Sequence, residues 1–364
     1  MLSQPAASGR LPVTVITGFL GAGKTTLLRH LLLQSGQRLA VLVNEFGEVG
    51  IDGDLLRSCG FCPEEEIEGR VLELANGCLC CTVQDDFLPT MQTLLQRAHQ
   101  LDGILVETSG LALPEPLLAA FQWPEIRSRI WVNGVVTLVD AEALAQGAVV
   151  GDRAALDAQR LADPSLDHVT ALDELFAEQL ECADLVLLSR ADQVNGEQIE
   201  SVRQRVLPLI RPGTAVLPLV RGAIDPQLVI GLATSGHDTA SADHSHHDHG
   251  HHDHGHHDHS HVAIEAQVVR LTGELDRPSL EQAVLQLIRD HHLVRVKGRL
   301  WLQGKARPLE IQAVGPRLES WFASDAAAPR PPGLELVLLG FNLQREVLSA
   351  ALSGLSRTAA GVSG

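Results

Sequence analysis

Val13-Thr14-Val15-Ile16-Thr17, followed directly by Gly18-Phe19-Leu20-Gly21-Ala22-Gly23-Lys24-Thr25, decides the fold. A short apolar run of strand length gives way to a turn of the form GxxxxGK[ST], after which Leu27, Leu28, Leu31 and Leu32 repeat at helical spacing. Strand, glycine-rich turn and helix in that order place the motif where phosphate binding needs it. Gly18, Gly21, Ala22 and Gly23 let backbone N–H groups converge on phosphate oxygens, with Thr26 closing the cradle. Lys24 brings a point charge toward the β- and γ-phosphates, and Thr25 offers a hydroxyl to Mg²⁺.

Further apolar segments follow at Leu39–Asn44, Ile104–Glu107, Val135–Asp140 and Leu185–Ser189, with a shorter edge run at Ala215–Leu219. Near-continuous Val, Ile and Leu are what a parallel sheet covered on both faces requires. Helical spacing at Leu172, Leu175, Phe176 and Leu180 stands behind a Thr170–Asp173 capping pattern. The expected fold class is therefore α/β, a phosphate-loop nucleoside-triphosphatase domain with a mainly parallel sheet over residues 1–222. Residues 223–261 read as a flexible His-rich linker and residues 262–353 as a small C-terminal α+β domain, with residues 354–364 as a frayed tail. In that second domain, strands are expected over Ala263–Leu271, Leu293–Leu302 and Leu334–Leu339, and helices over Ser279–Arg289 and at the end.

The chain has 364 residues, 45% of them apolar, but only 3% aromatic and no Tyr, so its cores must rest on aliphatic side chains. A formal charge of −17 argues against nucleic acid as a partner, because phosphate neutralisation needs clustered Lys and Arg. Met1 to Arg10 has no apolar core of signal-peptide length, and no apolar run reaches about 18 residues. Neither export nor membrane spanning is expected, and the cytoplasm is the natural location. Its six cysteines should then stay reduced and point to metal or redox roles.

Cys78-Leu79-Cys80-Cys81 places three thiols in four residues. In an extended chain Cys78 and Cys80 share a face, and Gly77 makes cheap the turn that would bring in Cys81. Three thiolates suit Zn²⁺ or Co²⁺, and also Cu⁺, leaving a fourth position for Glu45, water or a recipient. Cys59-Gly60-Phe61-Cys62 reads as a peripheral pair, a contributor to a zinc site, or a redox pair. Cys182, alone behind a helix, reads as core, and His30, His99 and His168 as surface or helix residues.

Eleven histidines crowd residues 244–261, punctuated by Asp248, Asp253 and Asp258. His246, His247, His249, His251, His252, His254, His256, His257 and His259 form the repeating part. Neutral imidazoles bind several borderline metals, so the tract suits collection of ions with little selectivity.

Glu107-Thr108-Ser109-Gly110 ends an apolar strand, where phosphate-loop enzymes place an acid for Mg²⁺ or its water. Glu107 and Gly110 are therefore site candidates. Glu45, Glu48 and Asp52 lie in an acidic, Gly-rich loop suited to sensing nucleotide, as metal or water-positioning groups.

GFLGAGKTT, NEFGEVGID, ELANGCLCCTV and ETSGLALPEPL, in this order, resemble the CobW-type metallochaperone family of phosphate-loop GTPases. The likeness extends over residues 11–350, including FQWPEIRS and VRVKGRLWL, and is nearest to the branch associated with cobalamin biosynthesis. It implies GTP hydrolysis with Mg²⁺, cargo of Zn²⁺ or Co²⁺, and transfer to a recipient protein such as a cobaltochelatase, with a homodimer possible. Co²⁺ destined for the corrin ring is the expected cargo of this branch. Guanine-specific members carry NKxD, where this chain has Ser189-Arg190-Ala191-Asp192. Asp192 can still accept two hydrogen bonds from guanine and Arg190 can lie on the base, but Ser189 lacks the amide, so weakened guanine discrimination is expected. The competing readings are a passive metal store with a vestigial nucleotide site and an ATP-using phosphotransferase.

Overall fold

The computed structural model describes residues 9–42, 87–152, 154, 156, 172–231, 264–324 and 330–355, and the backbone of 43 and 71–73. In chain order the first part holds β1 (Leu11–Gly18), α1 (Lys24–Gln34), β2 (Leu39–Val43), β3 (Val71–Glu73), α2 (Leu88–Gln96), β4 (Gly103–Glu107) and α3 (Pro114–Ala120). It continues with β5 (Ile130–Asp140), α4 (Ala141–Ala145), α5 (Leu172–Glu181), β6 (Leu185–Ser189), α6 (Gly196–Val206), β7 (Ala215–Pro218) and α7 (Pro226–Val229). The strands form one sheet in the order β3-β2-β4-β1-β5-β6-β7, and every pairing is parallel. Its C-terminal strand edge therefore gathers the ends of β1, β4 and β6, the position where open α/β sheets bind ligands.

Every residue of β5 is buried, as a central strand covered on both faces demands. It begins at Ile130, five residues before the expected start, and lies beside β1. Two apolar layers flank the sheet, one built on Met91, Leu94, Leu117 and Phe121, the other on Leu27, Leu28, Leu31 and Leu187. α7 corrects the linker boundary. Leu228, Val229 and Ile230 are buried against α1 and its sheet, so residues 226–230 belong to the packed domain and not to a flexible segment.

The second part comprises β8 (Glu265–Thr272), α8 (Arg277–Asp290), β9 (Leu293–Trp301), β10 (Leu309–Val314), β11 (Arg317–Phe322), β12 (Gly333–Gly340) and α9 (Arg345–Ser353). Its antiparallel sheet runs β11-β10-β9-β12-β8. Leu280, Val284, Leu287 and Ile288 on α8 pack with Val296, Leu300, Ile311 and Leu336. The β10–β11 hairpin goes beyond the strands expected from sequence.

The two sheets are tied together through buried polar contacts. Asp184, at 0% exposure just before β6, accepts from Arg211, from Nε of Arg317 at 2.5 Å and from the backbone N–H of Val135 at 2.8 Å. Beside it, the buried guanidinium of Arg295 donates to Oδ1 of Asn133 at 2.8 and 3.0 Å, while Asn133 donates to Thr14. Burial pulls Arg295 down to about 9, against the opposing pull of Asp184. Trp131 and Trp321 meet at 5.1 Å, and Arg10 lies 5.5 Å from the Trp321 ring.

Removing a buried acid strands the cations it holds, a loss on the order of 3 kcal/mol. Asp184→Ala should therefore lower the urea midpoint of the full chain by a corresponding amount; a midpoint equal to wild type would contradict this role.

Candidate functional site

β1 delivers the chain into the phosphate loop, and α1 leaves it. Gly23 takes φ 94° as the residue preceding the helix, a left-handed conformation that side chains disfavour. The first-turn N–H groups of α1 thus open toward the loop, as anion binding requires. Lys24 is only 8% exposed, and its ammonium donates to the carbonyls of Gly18 at 2.9 Å and Phe19 at 3.2 Å. The charge is held inside the turn, not left to wander in solvent.

β4 brings Glu107 to the same place. Its side chain is 4% exposed, and Oε1 accepts from the Thr25 hydroxyl at 3.2 Å. Two hard oxygen donors meet where α1 begins, a donor set that suits Mg²⁺ better than a soft metal. Thr108 extends the tie by donating to Thr17 at 2.9 Å. At Gly110 a Cβ would come within 2.5 Å of the Leu20 backbone nitrogen, so the strand-end loop and the phosphate loop touch backbone to backbone.

Gln179 on α5 braces that loop, donating to the carbonyls of Ala112 at 3.0 Å and Gly110 at 3.4 Å. The spacing of Leu172, Leu175, Phe176 and Leu180 predicts α5 but carries no signal for this role. Asp140 likewise has no local sequence signal: it caps α4 by accepting from Ala143 N–H at 3.1 Å and pairs with Arg190.

The Ser189-Arg190-Ala191-Asp192 segment divides its side chains. Ser189 is buried and its hydroxyl donates to Val139 O at 3.2 Å. Arg190, at φ 52°, ties Asp140 to the Gly21 carbonyl, the latter at 3.3 Å. Its guanidinium thus clamps the phosphate loop instead of lying free to cover a base. Asp192 accepts from Gln193 at 2.8 Å and sits 3.9 Å from Arg221.

Lys24, Thr25, Glu107 and Gly110 are thereby brought together with Gly18, Gly21, Ala22, Gly23 and Thr26, and Asp192 stands at the neighbouring β6 loop. Glu45, Glu48, Asp52, Cys59, Cys62, Cys78, Cys80, Cys81, His168 and residues 244–261 lie outside the described residues. Among the described residues no group of three or more His, Cys, Asp or Glu side chains is arranged to hold a metal ion. Cys182 is half-buried, not core; its thiol donates to Glu115 at 2.8 Å, and burial together with that carboxylate pushes its ionisation far up. It is a poor thiolate ligand. His30 is fixed in α1 by contacts to the backbone of Ile224 at 2.7 and 3.2 Å. No helix among the described residues is long and apolar enough to cross a membrane.

Residues 12–218 match the family described as CobW/HypB/UreG, nucleotide-binding domain, and residues 264–356 match the cobalamin synthesis protein cobW C-terminal domain. A protein of Pseudomonas aeruginosa named zinc chaperone CobW is 44% identical over 96% of this chain and 92% of its own length. A Sinorhizobium protein of the same name is 39% identical over 98% of this chain and 100% of its own. Among solved structures, the Zn(II)-bound YjiA GTPase of E. coli is similar at 25% identity, covering 96% of this chain and 100% of that one with a TM-score of 0.39.

Proposed function

The chain belongs to the CobW/HypB/UreG family of GTPases, and on that premise we propose that it is a zinc carrier whose grip on the metal follows its nucleotide. The observation that carries the nucleotide half is the buried Glu107 meeting Thr25 beside Lys24. Lys24 offsets phosphate charge, the loop N–H groups and α1 orient the phosphates, and Gln179 keeps the Glu107 loop in place. Thr25 and Glu107 are the proposed holders of Mg²⁺, which when bound supplies positive charge to the phosphate oxygens. Water attacks the γ-phosphorus and the bond to the β-phosphate oxygen breaks, giving GDP and inorganic phosphate. Glu48 and Asp52 are the proposed groups for ordering that water.

Zinc is favoured over cobalt because the Pseudomonas and Sinorhizobium relatives, each matched over nearly its full length, are named zinc chaperones. The corrin destination expected from the resemblance has no support in those names. Cys78, Cys80 and Cys81, with Glu45 or a recipient's ligand in fourth place, form the proposed cargo seat. They follow β3, which ends at the same sheet edge as the phosphate loop. The His-rich segment serves as a low-selectivity reservoir feeding that seat.

Deleting residues 244–261 tests the division of labour. Zinc stoichiometry by equilibrium dialysis should fall by more than one ion per chain, with the rate of GTP hydrolysis unchanged. Unchanged stoichiometry, or loss of hydrolysis, would contradict it.

A further inference from the structure

Beside Asp192, the loops that follow β6 and β7 are laced together. Ala191 N–H donates to Leu219 O at 3.4 Å, and Leu219 N–H donates to Leu188 O at 2.8 Å. The second loop then turns tightly, with Ala223 N–H donating to Val220 O at 2.9 Å. Gly222, at φ 76°, is pressed on α1, where a Cβ would lie 2.8 Å from Thr26 Cγ2. At the tip of this pinned turn Arg221 adopts φ 51° and leaves its side chain 87% exposed, 3.9 Å from the Asp192 carboxylate. It is anchored at the backbone and open at the guanidinium.

Its neighbours are already committed. Ser189 donates to Val139 O, and Arg190 is engaged with Asp140 and Gly21. A carboxylate next to a guanidinium makes an edge that accepts on one side and donates on the other. Guanine presents N1–H and the 2-amino group as donors with O6 as an adjoining acceptor, whereas adenine offers a donor at C6 and an acceptor at N1. The edge therefore matches guanine at both halves and adenine at neither.

We propose that Arg221 is a specificity-determining residue, donating to guanine O6 while Asp192 accepts from N1–H and the 2-amino group. The assignment rests on the guanine reading of Asp192. It gives this chain an O6 donor from the β7 loop, beside a β6 end whose Ser189 hydroxyl is turned inward.

The test uses the full chain and competitive displacement of a fluorescent GDP by GDP, 6-thio-GDP and IDP. The sulfur analogue keeps N1–H and the 2-amino group but weakens the acceptor at position 6; IDP keeps O6 and lacks the 2-amino group. Wild type should prefer GDP over 6-thio-GDP by roughly tenfold. Arg221→Ala should bring those two within about twofold while keeping the wild-type preference for GDP over IDP, and Arg221→Lys should restore part of the O6 preference. The proposal is overturned if wild type does not distinguish GDP from 6-thio-GDP, or if Arg221→Ala keeps that ratio or weakens all three ligands equally. Asp192→Ala separates the two assignments: an unchanged GDP-to-IDP ratio there removes the guanine reading of Asp192 itself, whatever Arg221 does.

Discussion

Lys24→Ala is expected to weaken GTP binding by on the order of 100-fold or more, the loss of a charge-assisted contact to phosphate inside a sheltered loop. The size follows from where the ammonium sits. At 8% exposure, held by the Gly18 and Phe19 carbonyls, it is positioned before any phosphate arrives, so little ordering cost offsets its attraction. Arg190 reaches the turn from outside, at the Gly21 carbonyl. Calorimetry reads the effect directly, and circular dichroism of the same variant checks the fold. Unchanged GTP affinity would contradict the phosphate-loop assignment.

The second large effect belongs to the thiols. Replacing Cys78, Cys80 and Cys81 together with Ser, in a chain lacking residues 244–261, should reduce zinc affinity by on the order of a thousandfold, since thiolates are the strongest zinc ligands in this sequence. Removing the His-rich segment matters because its imidazoles would otherwise mask the loss. GTP affinity without added zinc should stay near wild type, as Lys24, Thr25 and Glu107 are untouched. Competition against a chromophoric chelator measures the change. Zinc affinity equal to that of the deletion parent would place the cargo elsewhere.

Much of the fold was legible because its signals are local. β1, β4 and β6 are apolar runs bounded by turn chemistry, and the phosphate loop carries its own motif. β10 and β11 were harder: Glu310, Gln312 and Glu319 interrupt the apolar pattern, although Gly315-Pro316 marks the turn between them. The early start of β5 was hidden by Asn133 and Gly134, which look like a break in sequence. In the structure Asn133 bonds to Thr14 and Arg295, and Gly134 lies under Val314. The packed α7 was obscured by its nearness to the compositional shift into the His-rich segment.

The site divides along the same line. Lys24, Thr25 and Glu107 could be named from motif and strand end, because their chemistry is written within a few residues. Gln179 and Arg221 could not, and neither could Asp184 in its tie between the two sheets. Gln179 acts on carbonyls more than sixty residues away, Asp184 on two arginines from later segments, and Arg221 beside an acid on another strand's loop. Such roles exist only after the sheet is assembled, and a single sequence carries no local trace of them.

Coupling between nucleotide and metal is the central claim, and competitive titration of the full chain with Zn²⁺ and Co²⁺ together, in Mg²⁺–GTP and in Mg²⁺–GDP, tests it most directly. Zinc should occupy the thiol site in preference to cobalt, with an affinity at least about tenfold higher in the GTP state than in the GDP state, a coupling within the usual range for linked sites. Equal zinc affinity in the two nucleotide states would contradict a nucleotide-governed carrier.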